Sequence, residues 1–259
     1  MGNKSHRRSN CHENEVLSDN YGELTPNGKR RMEETIKLIP ENADTVLDVG
    51  CSSGTILNEL KNRNRVGIDC SRTALSQVKA EKILGDIGRL PFVSDCFDVI
   101  VSTEVIEHLD DSTFHLFIKE INHLRPKIIV ITAPFEEDLC GGLSQCKKCG
   151  WTFHIAHHRR SVSPDVVDNL FPNYRRTNLK LLNEKYDAPK WITILGHRLG
   201  CYAFKPGEIC EKCGSKIEKP LRVISITFGG IRLISTLPAR IRKRTHPHHM
   251  VLRYEMIRS

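Results

Sequence analysis

Apolar residues along this chain fall in short β-rich runs that alternate with stretches at helical spacing. From Thr45 onward the runs TVLDV, RVGID, KILGD, FDVIVS and KIIVIT are rich in Val and Ile. Between them lie GTILNELKNR, SRTALSQVKA and STFHLFIKEINHL, which read as helices. This alternation predicts an α/β fold built on a doubly wound, mostly parallel sheet. In such sheets ligands bind outside the carboxyl ends of the strands, so the residues just after each run matter most. Upstream, Met32, Ile36 and Ile39 predict a helix from Gly28 to Ile39, ended by Pro40. Residues 1–27 read as a flexible, polar N-terminus. Beyond KIIVIT an insertion over 135–162 is rich in Cys, His and Gly, and a helix from Ser163 to Leu170 follows. RTNLKLL and GCYAF read as two closing strands. The main domain is therefore expected over 28–206, with 207–259 holding a second Cys pair and a basic tail.

Composition narrows the class. The 259 residues are 39% hydrophobic and fit one medium domain with an appendage. No uncharged apolar run approaches the roughly 20 residues of a membrane span, and the start MGNKSHRRSNCHENE lacks the apolar stretch of an export signal. Ten cysteines in such a chain point to reduced thiols and metal ligands, and to a cytoplasmic address, peripheral at the inner membrane surface if the tail binds lipid. The net charge of +8 sits in the tail, where residues 214–259 hold 10 Lys and Arg against 2 Asp and Glu. There Ile224, Phe228, Ile231 and Ile234 lie near helical spacing among arginines, as in a segment that docks on the core or on anionic lipid.

The first strand runs into Asp48-Val49-Gly50-Cys51-Ser52-Ser53-Gly54, a tight turn of small residues where a ligand can approach backbone closely. The spacing is neither G-x-G-x-x-G nor a phosphate loop ending in G-K-[ST]. Asp69 ends the second strand, where a carboxylate can accept from both hydroxyls of a ribose, and Asp86 ends the third. VLDVGCSSG, VGIDCS, GDIGRLPF and FDVIVSTEVIEHL, in this order, resemble the class I S-adenosylmethionine-dependent methyltransferases over residues 45 to about 134. The resemblance implies a seven-stranded Rossmann-like sheet. It places Asp48, Gly50, Cys51 and Gly54 around the methionine part of the cofactor, Asp69 at the ribose, Asp86 and Ile87 at the adenine, and Glu104 among the cofactor-binding residues. Ser52 stands where the family often has Gly. The cofactor carries an ammonium and a sulfonium and no phosphate, which favours these carboxylates over Lys or Arg.

His108, near the end of the fourth strand, is the candidate base. The segment Glu104-Val105-Ile106-Glu107-His108 also resembles the metal-binding segment of small-RNA 2′-O-methyltransferases, which implies Mg²⁺ or Mn²⁺ on Glu104, Glu107 and His108. Cys146-x-x-Cys149-Gly150 and Cys210-x-x-Cys213-Gly214 repeat one half-site, and together they supply four thiolates for a structural Zn²⁺. The local alternative is Cys146 and Cys149 with His154 and His157, a knuckle of the kind that binds single-stranded RNA. The string from Cys146 to Ser161 resembles methyltransferases of cell-surface polysaccharide and glycoconjugate synthesis. That likeness implies a substrate lid of His154, His157, His158 and Arg159, and a saccharide acceptor. The expected function is O-methylation of a saccharide or glycoconjugate intermediate. The alternatives are a metal-assisted RNA ribose 2′-O-methyltransferase and, in another class, a zinc-knuckle RNA-binding protein on a non-catalytic methyltransferase fold.

Overall fold

The computed structural model describes residues 24–61, 63–185, 190–218 and 246–257. Of the expected flexible start over 1–27, residues 1–23 lie outside the described residues, whereas Pro26 and Asn27 are helical; the amphipathic tail around Ile224 to Ile234 also lies outside the described residues. Helix α1 (Pro26–Lys37) starts on Thr25, whose hydroxyl accepts from the Gly28 amide at 3.1 Å. Five strands and two helices follow in the expected order: β1 (Thr45–Val49), β2 (Asn64–Asp69), α2 (Arg72–Leu75), β3 (Glu81–Leu84), β4 (Val99–Thr103), α3 (Asp111–Leu124) and β5 (Ile128–Pro134). Strand β1 pairs in parallel with β2 and β4, β2 with β3, and β4 with β5. Strands β1, β4 and β5 are buried along almost their whole length, which is why they read as continuous apolar runs. Asp98 ties β1 to β4 at their start, accepting from the Asp44 and Thr45 amides at 2.9 and 3.0 Å.

The insertion carries the short strands β6 (Leu143–Gln145) and β7 (Thr152–His154), paired antiparallel. Then come α4 (Pro164–Leu170), β8 (Tyr174–Lys185), α5 (Lys190–Arg198) and β9 (His246–Met256). The large sheet has seven strands in the order β3-β2-β1-β4-β5-β9-β8. Strand β9 runs antiparallel to β5, as the bonds from Met256 N–H to Lys127 O and from Phe135 N–H to His248 O show.

Three expectations are corrected. Residues 54–61 of GTILNELKNR form a chain of turns rather than a helix, the Gly54, Glu59 and Leu60 amides donating three residues back, to Cys51 O, Ile56 O and Leu57 O. GCYAF is not a strand. The closing strand beside β8 is β9, from the segment expected to be a basic tail, and its Met250, Val251, Leu252 and Tyr254 are fully buried. The sheet therefore reaches beyond residue 206.

The chain divides into two compact units. One comprises Met1–Ala133, Pro164–Lys180 and Val251–Ser259; the other comprises Pro134–Ser163 and Leu181–Met250. Among the described residues no helix is long and apolar enough to cross a membrane.

Candidate functional site

In the first unit, β1 delivers Asp48 to the carboxyl edge of the sheet. Its side chain is 1% exposed, and Oδ1 has no hydrogen-bond partner. Burial, and then the nearby Asp69 carboxylate, push its pKa from 3.8 up to about 7. A buried, unpartnered carboxyl oxygen of this kind fits a cationic ligand, which would restore the compensation that burial removes.

The turn after β1 is built from exceptions to ordinary backbone geometry. Gly50 has φ +80° and Gly54 φ +75°, and a Cβ on Gly50 would lie 2.5 Å from Val105 Cγ2. Ser52, the departure from the family pattern, also takes a positive φ, 48°. It is held there because its amide donates to Asp69 Oδ2 at 2.8 Å. Cys51 is buried, and burial pushes its thiol pKa well up, so it serves as packing rather than as a nucleophile.

Asp69, at the end of β2, accepts the Ser52 amide on one oxygen and the Ser71 amide on the other, both at 2.8 Å. A carboxylate has roughly four acceptor sites, so two remain for a pair of hydroxyls. The backbone bonds fix the orientation that such a role needs. Asp86 and Ile87 follow β3, and Asp86 Oδ1 accepts the Gly88 amide at 2.8 Å in a tight turn. The structure thus places Asp48, Gly50, Cys51, Gly54, Asp69, Asp86 and Ile87 at or just beyond the carboxyl ends of β1, β2 and β3. The donor set is anionic and lies on small-residue turns, and it fits a nucleoside-bearing cation without phosphate.

Glu104 follows β4 in a left-handed conformation, φ 55°. Its Oε1 accepts from the Thr132 hydroxyl at 2.9 Å, and its Oε2 lies 3.6 Å from Arg31. Arg31 and Thr132 escaped the sequence reading. They stand far from Glu104 along the chain, on α1 and β5, and nothing in local spacing marks them. Glu107 is buried and His108 half-buried in the turn that follows. Among the described residues, no close group of three ligand atoms includes Glu104.

The second unit gathers four cysteines. The sulfurs of Cys146, Cys149, Cys210 and Cys213 lie within 4.8 Å of one another, with the Cys146–Cys213 and Cys149–Cys210 separations both 3.6 Å. Zn–S bonds of about 2.3 Å in a tetrahedron put sulfurs about 3.8 Å apart, whereas a disulfide needs about 2.05 Å. The two halves are built alike. Gly150 and Gly214 have φ +72° and +68°, and their amides donate to Cys146 O and Cys210 O. The Cys146 and Cys210 amides in turn donate to Trp151 O and Ser215 O, each at 2.9 Å. Phe153, Ile217 and Phe204 pack behind the buried Cys146 and Cys210. Within the cluster the Ser215 hydroxyl and amide hold the Cys213 thiol down at about 6, whereas Cys149, against the lowering effect of the Trp151 amide, is pushed up to about 12 by burial and the three neighbouring thiols.

His154 and His157, the local alternative, have other company. His157 is buried, with Nε2 3.1 Å from Glu208 Oε1 and Nδ1 on Glu211. The Glu211 contact raises its pKa against the opposing effect of burial. His154 and His158 stack at 4.9 Å beside Glu137.

The methyltransferase domain family matches residues 47–127 of the chain. The chain is 33% identical over 82 residues to an uncharacterized protein of Methanocaldococcus jannaschii, covering 31% of this chain and 34% of that one. It is 31% identical over 132 residues to the small RNA 2′-O-methyltransferase of Arabidopsis thaliana, covering 42% of this chain and 14% of that one. The matches thus span about a third and about a seventh of these relatives. In fold, the chain is similar to a SAM-dependent methyltransferase from Archaeoglobus fulgidus, with a TM-score of 0.53, 17% identity and coverage of 88% and 92% of the two chains.

Proposed function

We propose that this chain, whose residues 47–127 match the methyltransferase domain family, is a class I S-adenosylmethionine-dependent methyltransferase that methylates a sugar hydroxyl, on a saccharide or glycoconjugate intermediate. The observation that carries the cofactor half of this reading is the buried Asp48 Oδ1 without a partner, set between the Gly50 turn and the anchored Asp69; the saccharide acceptor rests on the resemblance of the string from Cys146 to Ser161. Asp48 would face the positive charge of the cofactor's methionine part, Asp69 its ribose hydroxyls, and Asp86 with Ile87 its adenine. When bound, S-adenosylmethionine supplies a methyl group on a sulfonium, already a good leaving group. The chain's own contribution is then alignment of the acceptor and exclusion of water. Glu104 is oriented by Thr132 and Arg31, and His108 is the group to accept the acceptor's proton.

The four-Cys cluster would hold a structural Zn²⁺ that fixes the insertion to the segment around Cys210, and its mirrored half-sites support that role. The segment 219–245 carries seven Lys and Arg and no Asp or Glu, which suits contact with an anionic surface where lipid-linked glycans would be met.

A second reading, RNA ribose 2′-O-methylation with Mg²⁺ or Mn²⁺, is favoured by the similarity to the Arabidopsis thaliana small RNA enzyme; it would put the ion on Glu104, Glu107 and His108, of which Glu104 joins no close group of three ligand atoms among the described residues. Radiolabelled methyl transfer from S-adenosylmethionine into separated glycan and RNA pools, followed by hydrolysis, tests both. A methylated monosaccharide is expected. A 2′-O-methylnucleoside would move the acceptor to RNA, and label found only in amines or esters would overturn a sugar hydroxyl altogether.

A further inference from the structure

Helix α5 in the second unit is amphipathic in the wrong sense for a water-soluble surface. Thr193 and Gly196 face inward: Thr193 is 4% exposed and Gly196 is buried. Four apolar side chains face outward: Trp191 is 63% exposed, Ile194 48%, Leu195 42%, and Leu199 just beyond the helix 53%. Positions 191, 194, 195 and 199 form one stripe at helical spacing. The carboxyl end of the helix is capped. The helix closes on Gly200, φ +74°, with the Cys201 amide donating to Gly196 O at 2.8 Å and the Gly200 amide to His197 O at 3.0 Å. The His197 ring stacks on Tyr202 at 5.0 Å. Lys190 and Arg198 flank the stripe, and the helix has no acidic residue.

Charge identifies what covers it. The chain's own apolar segment, 219–245, has seven Lys and Arg and no acid, so it would bring like charge onto Lys190 and Arg198. A second copy in a two-fold contact would set the same two cations against themselves. An anionic bilayer meets both features, taking the apolar stripe and an indole at the acyl boundary and pairing the basic side chains with headgroups. We propose that α5 is a membrane-surface contact: Trp191, Ile194, Leu195 and Leu199 enter an anionic lipid surface, with Lys190 and Arg198 at headgroup level. This deepens the peripheral-membrane part of the proposed function, and it places the contact on α5 as well as on the tail.

The chain has two tryptophans, Trp151 and Trp191, so Trp151→Phe leaves Trp191 as the single reporter. The full chain of this variant is mixed with vesicles of phosphatidylglycerol and phosphatidylcholine, with and without brominated acyl chains, and with phosphatidylcholine alone. The expected result is a blue shift and bromolipid quenching with the anionic vesicles. Partition, read from the quenching of Trp191, should weaken roughly tenfold or more in Ile194→Ser with Leu195→Ser. It should also weaken about fivefold for each of Lys190→Ala and Arg198→Ala. Circular dichroism and the thermal midpoint check that the variants are folded. Vesicle binding with an unshifted, unquenched Trp191 would leave the tail as the contact and overturn the role of α5. Emission that is already blue-shifted without lipid and unchanged by it would show the stripe covered by protein, and would overturn it as well. Absence of vesicle binding would overturn both.

Discussion

Asp48→Asn removes one charge from the middle of the sheet and leaves the shape, which makes it a clean probe of what that charge is for. Asp48 is 1% exposed, and burial with the neighbouring Asp69 raises its pKa from 3.8 to about 7. A carboxyl whose folded pKa lies above its unfolded value lends stability that is fully present below about pH 4 and is lost as pH rises through about 7. Above pH 7 the ligand-free protein therefore carries a penalty of about 4 kcal/mol for the buried charge. The carboxamide escapes that penalty but has its own unpaired polar atoms, at about 1–3 kcal/mol. The net expectation for ligand-free Asp48→Asn at pH 8 is a gain of about 1–3 kcal/mol, or several degrees in thermal midpoint at about 2–4 °C per kcal/mol for a chain of this size. At pH 5 the gain vanishes or reverses. S-adenosylmethionine inverts the order: wild type gains midpoint on adding it at pH 8, and the variant gains little, because the cation has lost its carboxylate. Thermal melts at pH 5 and pH 8, with and without cofactor, measure all four corners. A variant equally destabilised at both pH values, with an unchanged shift on adding cofactor, would refute the reasoning and make Asp48 an ordinary structural polar group.

Other outcomes follow from single contacts. Gly67→Ala places a methyl group 2.6 Å from Cys51 Sγ and 2.8 Å from Leu57 Cδ1, and is expected to cost about 1–3 kcal/mol in denaturant unfolding. Cys213→Ser should remove the zinc that elemental analysis is expected to find at one per wild-type chain; undiminished zinc would point to the local set with His154 and His157. Glu104→Ala should abolish any stimulation of methyl transfer by Mn²⁺. Activity indifferent to chelators from the start would end the metal-assisted reading.

The carboxyl-edge aspartates were legible because each ends or follows a short β-rich run, buried in β1, partly buried in β2 and largely exposed in β3, so sequence position and spatial position coincide. The same holds for the two C-x-x-C-G half-sites, whose glycines adopt the positive φ that their place in the motif implies. What escaped was long-range. In the turns over residues 54–61 the Asn58 side chain bonds Gln77 O and the Lys79 amide, contacts that no local spacing marks. Strand β9 carries His246, His248, His249 and Arg253, and that polarity hid a strand whose Met250 to Leu252 run is buried beside β5. Glu104 itself was visible as a candidate, but its left-handed backbone and its partners on α1 and β5 exist only once the sheet has assembled.

Calorimetric titration of S-adenosylmethionine into the wild-type chain and into Asp69→Ala at pH 8 tests the central claim most directly. The account predicts one cofactor per wild-type chain, with affinity falling at least about tenfold in the variant as the ribose hydroxyls lose their charged acceptor. Equal affinity in the two proteins, or no binding to the wild type at millimolar cofactor, would contradict it.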